Sequence, residues 1–184
     1  MIFRLFPGNR QEATIKALYG AIVAQARAPV FYRDYGVPDT VNGRFEMIAL
    51  HTVLFLGRLE NEGPEVRRLG QGVFDLFCRD MDASMREMGV GDLAVPRKMR
   101  RIGAAFYERQ GDYRHALAAA DNAPLVAALA RNVLDAASPS DRAGRLAFYV
   151  RAVERTLAGQ GAEAFERREL RFPDPATVGT PAEV

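Results

Sequence analysis

Apolar residues recur at helical spacing along almost the whole of this chain. Ile15, Leu18, Tyr19, Ile22, Val23 and Ala26 fall at i, i+3, i+4, i+7, i+8 and i+11, one face of a helix that Pro29 ends. A second segment, from about Val41 to Leu59, carries Phe45, Ile48, Leu50, Val53, Leu54, Leu56 and Leu59. It is apolar on more than one face, so it is expected at the centre of a bundle. Gly63-Pro64 restarts the chain, and Val66, Leu69, Val73, Phe74, Phe77, Cys78, Met81 and Met85 trace a long stripe that ends at Gly89. Pro96 opens a helix expected to turn Met99, Ile102, Gly103, Phe106 and Tyr107 inward, and a short alanine-rich helix from Tyr113 to Ala120 is expected next. Pro124 begins another, and Leu146, Tyr149, Val150, Val153 and Leu157 form the last long stripe before Gly159. No strand-like alternation of useful length occurs. The pattern predicts an all-α, single-domain bundle of about six to eight helices without significant sheet. Residues 1–10 read as an N-terminal extension, 11–172 as the helical domain and 173–184, with Pro173, Pro175 and Pro181, as a loose C-terminal tail.

Composition narrows the class. With 184 residues, 48% hydrophobic and 26% charged, the chain is large enough for a core without disulfide or metal staples and far from the disordered range. Its longest nearly apolar run, Met47 to Leu56, is broken by His51 and Thr52 and is about half of what a bilayer span requires. The start, MIFRLFPGNR, is broken early by Pro7-Gly8 and does not read as a secretory signal, and the one cysteine fits a reducing compartment, so a soluble intracellular protein is expected. The net charge of +2 hides 23 arginines against two lysines, Lys16 and Lys98. Arginine suits phosphate and carboxylate recognition, but a GC-rich genome produces the same bias. A near-neutral total argues against a dedicated nucleic-acid binder, and no DNA partner is expected.

Reactive groups do not converge. His51 and His115 have no histidine or cysteine at metal-ligand spacing, and His51, inside an apolar helix, reads as a hydrogen-bonded core residue. Cys78 lies on a buried stripe, where it serves as a small hydrophobe. No nucleophile elbow or phosphate loop is present. The main enzymatic alternative is a magnesium site on Asp75, Asp80 and Asp82 for an isoprenoid diphosphate. Asp80 and Asp82 lie about 200° apart on a helix and cannot share a face, and no second aspartate-rich helix completes a site. No catalytic residue, metal or cofactor is therefore expected.

What stands out is the stretch DMDASMREMGVGDLAVPRKMRR, Asp80 to Arg101, with four acidic and five basic side chains around Gly89-Val90-Gly91. It reads as two helices meeting at an elbow, with Gly89 and Gly91 setting the turn. Arg97, Arg100 and Arg101 fall on one face of the second helix, beside Lys98, and Asp82 is spaced to pair with Arg86. Met81, Met85 and Met88 either pack in the core or offer adaptable apolar contact. Candidate partner-binding residues are Arg44, Asp82, Arg86, Glu87, Met88, Asp92, Arg97, Lys98 and Arg101. A helical bundle that simply binds RNA or lipid remains an alternative on these observations.

The order of several short pieces is more specific than any one of them. Gln25-Ala26-Arg27 precedes Phe31-Tyr32, then Gly36-Val37-Pro38-Asp39-Thr40, then Gly43-Arg44-Phe45-Glu46-Met47 leading to His51. Met81-Asp82, Arg86 to Leu93, Ala105-Phe106-Tyr107 and Tyr113 follow at matching separations. Over roughly Leu18 to Leu117 the chain resembles the ubiquinol–cytochrome c chaperone family, departing from it at Glu108, where glycine is expected before Arg109. The resemblance implies a non-enzymatic helical assembly factor for the cytochrome bc1 complex with newly made cytochrome b as its client. It further implies a bacterial member peripheral to the cytoplasmic face of the inner membrane. Mitochondrial members of the family are associated with the ribosome and a small helper protein, and, apart from the resemblance, the basic face after Pro96 suits acidic client loops, rRNA or anionic lipid headgroups.

Overall fold

The computed structural model describes residues 7–178, and among them eight α-helices and no strand. Helix α1 spans Pro7–Ala26, α2 Pro29–Arg33, α3 Val41–Leu59, α4 Pro64–Glu87, α5 Val95–Ala118, α6 Ala123–Asn132, α7 Asp141–Ala158 and α8 Ala162–Glu166. The all-α expectation holds. Local chemistry sets most starts: Thr40 accepts from the Gly43 amide at 3.1 Å and Ser140 from the Ala143 amide at 3.3 Å, while α2 and α4 open on proline. Gly43 has a second duty, because a Cβ there would run into the Pro38 carbonyl oxygen where the preceding turn folds back on α3.

Helix α3 is the axis of the bundle. Every residue from Met47 to Phe55 is buried, and α1, α4, α5 and α7 all pack on it. That burial explains its lack of a polar face. Phe74, Phe77 and Phe106 join α4 to α5, with ring centroids 5.0 Å apart for Phe74–Phe106 and 5.2 Å for Phe77–Phe106.

Three boundaries differ from the sequence reading. The alanine-rich segment is no separate helix, since α5 runs unbroken through Gly111 to Ala118; nothing packs against Gly111 or forces a turn there, and Glu108 is simply an exposed helical position. Helix α1 already begins at Pro7, so residues 7–10 are helical, while the first six residues of the expected extension lie outside the described residues. The segment from 173 to 178 is not loose. Gln25 Nε2 donates to the Pro173 carbonyl at 2.9 Å, Tyr35 Oη donates to the Pro175 carbonyl at 2.7 Å, and Val178 packs on the core. Two prolines keep this segment out of a helix, but its carbonyls are the partners of otherwise stranded polar groups. The last six residues of the expected tail lie outside the described residues.

Candidate partner-binding surface

The elbow between α4 and α5 is a Schellman-type helix end. The Val90 amide donates to the Met85 carbonyl at 3.0 Å and the Gly89 amide to the Arg86 carbonyl at 2.9 Å, with Gly89 at φ +80°. Only Gly89 has a backbone that asks for glycine. Gly91, the other expected turn residue, has no left-handed φ and open space around it, and it contributes a carbonyl that accepts from the Ala94 amide at 2.8 Å. The two expected turn glycines therefore reduce to one.

Charges at the elbow are sorted by this geometry. Arg86 Nε donates to Asp82 at 2.7 Å, and its Nη1 reaches Asp92 across the turn, so one guanidinium ties the end of α4 to the start of the next segment. Arg86 thus shares its one positive charge between both aspartates, leaving the triad with a net charge of −1, while Glu87 is exposed and makes no ion pair among the described residues. Arg97, Lys98, Arg100 and Arg101 are all exposed on α5, and none is in an ion pair among the described residues. Their face lies opposite buried Val95 and Phe106 and half-buried Met99 and Ile102. Met81 and Met85 belong to the core, whereas Met88 is 54% exposed and Leu93 stands 99% exposed. Tyr107, expected inward, is 63% exposed, although its ring edge still meets Phe106. Arg44 is not part of the elbow; it pairs with Asp39 at 2.7 Å and lines a separate pocket of about 560 Å³ with Arg27, Arg33 and Tyr32.

The aspartates of the magnesium alternative point to different partners. Asp80 accepts from Tyr19 Oη at 2.7 Å, Asp82 from Arg86, and Asp75 from Gln71 at 2.7 Å. Among the described residues no group of three histidine, cysteine or acidic side chains is arranged to hold a metal ion.

There are two buried polar centres: His51 is the hydrogen-bonded core residue expected, though its partners were not foreseen, and the Glu46 centre was missed altogether. His51 is fully buried, its Nδ1 2.7 Å from the Met47 carbonyl and its Nε2 2.8 Å from Tyr149 Oη. A carbonyl only accepts, so Nδ1 carries the proton and Nε2 accepts from the Tyr149 hydroxyl. Gln25 Nε2 donates to the same hydroxyl at 2.9 Å. Burial pulls the His51 pKa down to about 4, and burial pushes the Tyr149 hydroxyl up, so both are neutral at pH 7. The second centre is Glu46, 3% exposed, gripped by both arms of Arg109 at 2.5 and 2.6 Å. Burial raises the Glu46 carboxyl above its ordinary range, and the Arg109 fork opposes that rise. The signal for both centres was in the ordered pieces, since Gln25, Glu46 and His51 all stand in them. A third feature had no sequence signal: a cleft of about 560 Å³ between α3, α5 and α7, floored by Val53, Leu54 and Leu157 and rimmed by Arg58, Glu60 and Arg114.

Taken together, the described residues form an all-α protein distinguished by its surfaces and its buried polar ties. Residues 33–172 match the model of the ubiquinol-cytochrome C chaperone family, and the chain belongs to that family. It is 27% identical over 129 residues to the ubiquinol-cytochrome-c reductase complex assembly factor 1 of Xenopus laevis, a match that takes in 69% of this chain. The match spans 64% of that relative's length. A crystal structure of the Cbp3 homolog from Brucella abortus has the same fold, with a TM-score of 0.87 at 37% identity over 97% of this chain and 100% of that one. Among the described residues no helix is long and apolar enough to cross a membrane.

Proposed function

We propose that this chain supports assembly of the cytochrome bc1 complex by binding newly made cytochrome b noncovalently, catalysing no reaction itself. It acts peripherally at the cytoplasmic face of a bacterial inner membrane. The observation that carries this reading is family membership over most of the chain, joined to the Xenopus laevis relative's name as an assembly factor for ubiquinol-cytochrome-c reductase. The contact surface is the α4–α5 elbow, with Asp82, Arg86, Glu87, Met88, Asp92, Arg97, Lys98 and Arg101, together with Arg44 at the start of α3. A client rich in transmembrane helices is held by its polar loops and helix ends, and a surface with both charges and an exposed methionine suits such contact.

Deletion of the gene lowers assembled bc1 complex and cytochrome b and leaves other respiratory enzymes at their normal level. Unchanged cytochrome b would sink the reading. Photocrosslinking in vivo from positions 86 and 97 captures cytochrome b, and capture of only a ribosomal protein or a small helper would move the client site elsewhere.

A further inference from the structure

We propose that the cleft between α3, α5 and α7 is a binding site for an uncharged small molecule with a mostly apolar body and a hydroxyl or carbonyl head. Val53, Leu54, Leu117 and Leu157 line its interior, and its volume of about 560 Å³ lies in the range of small-molecule sites. Gly57, in the last turn of α3, opens onto this space. No left-handed φ requires glycine there, and a Cβ would meet no atom within 4 Å. Its missing side chain therefore serves neither the turn nor the packing of the chain, and its effect is to widen the cleft. Tyr113, another lining residue, is 1% exposed, and its hydroxyl has no hydrogen-bond partner among the described residues, because the Asn132 amide beside it is turned to Asp112 at 3.2 Å. A buried hydroxyl that the chain itself leaves unsatisfied is uncommon.

The rim selects against charge. Arg58 donates through Nε to the Leu157 carbonyl at 3.0 Å, through Nη2 to the Gln160 carbonyl at 2.8 Å and through Nη1 to Glu62, so all three of its nitrogens are engaged. Arg114 pairs with Glu60 at 2.5 Å and Glu154 with Arg151 at 3.2 Å. A charged ligand would have to break into these pairs, whereas the uncharged amides of Asn61 and Gln110 can hold a neutral polar head. A protein partner fits less well. The exposed large apolar side chains among the described residues, Val41, Met88, Leu93, Tyr107 and Phe148, all lie outside the cleft, so its apolar surface is reached only by an occupant that enters between the helices. This site shares no residue with the proposed client surface, and the proposed function does not depend on it.

The full chain is titrated with prodan, an uncharged naphthyl ketone whose emission reports polarity. Binding is saturable at one site per chain and shifts the emission to the blue. Decanol displaces the dye, and decanoate at neutral pH competes about tenfold more weakly or worse, because its charge would face the paired rim. Gly57→Leu, which fills the open space with a better helix former, and Ala118→Leu, from the α5 wall, each weaken prodan about tenfold or more without lowering the thermal melt. Leu93→Asp leaves binding unchanged, which excludes adsorption at the exposed elbow. Absence of saturable binding, equal binding by Gly57→Leu and the wild type, or displacement by decanoate as readily as by decanol overturns the inference. Photocrosslinking in vivo from position 61 that captures a protein overturns it as well.

Discussion

His51 gives this fold an acid-sensitive core, and the size of the effect follows from its burial. Unfolded, the imidazole titrates near its ordinary 6.5, whereas in the folded chain burial lowers it to about 4. Between these values the unfolded chain binds a proton that the folded chain refuses, so stability falls as the pH falls through this window. At pH 5 the unfolded imidazole is almost wholly protonated and the folded one about a tenth so, which makes the loss relative to pH 7.5 about 2 kcal/mol from this one group. Facing it, Tyr149 is held neutral by its own burial, and Phe31 and Phe172 carry no charge, so no neighbour offsets the change. His51→Gln keeps a donor for Met47 and an acceptor for Tyr149 but cannot titrate. It lowers stability at pH 7.5 by about 1–2 kcal/mol through imperfect geometry. The decisive measurement is urea unfolding of both proteins from pH 7.5 to 5, where carboxylates titrate alike in the two. The wild type loses about 2 kcal/mol more than the variant over that range. Parallel curves would show that His51 is not a buried neutral imidazole, and the reasoning would fail.

Arg109→Ala strands the buried Glu46 carboxylate and costs about 3–5 kcal/mol by thermal or chemical unfolding, whereas Glu46→Leu combined with Arg109→Leu costs distinctly less than the single change. Gly89→Ala forces a side chain into φ +80° and costs about 1 kcal/mol, while Gly91→Ala is neutral within error; equal losses would refute the Schellman assignment. Ending the chain after Phe172 removes the carbonyl that Tyr35 donates to, leaves that buried hydroxyl unpaired and lowers stability by about 1–3 kcal/mol, with Tyr35→Phe in the shortened chain restoring part of it.

The order and type of the helices were legible in the sequence, because the apolar period and the proline and glycine punctuation are local signals. The stripe from Val66 to Met85 emerged as α4, with its end at Gly89. The separate helix expected from Tyr113 to Ala120 failed for a local reason as well: Gly111 weakens a helix by only about 1 kcal/mol, less than the packing of Phe106 and Tyr113 on either side supplies. The candidate elbow was visible as a cluster of charges, but not which of them were already spent. Arg86 satisfies Asp82 and Asp92, while the residues after Pro96 remain free, and that division depends on how the chain reverses direction at Gly89.

Alone, the sequence determined that this is a helical bundle with α3 at its axis, and the order of its short pieces determined the family, because periodicity and spacing are written along the chain. Only the tertiary structure decided that Gln25, Tyr149 and His51 share one buried network, that Glu46 is held by Arg109, and that the prolines after Phe172 close the core. Those partners stand up to 148 residues apart, and a polar group's need for a partner inside a core names no address along the chain. Packing supplies the address.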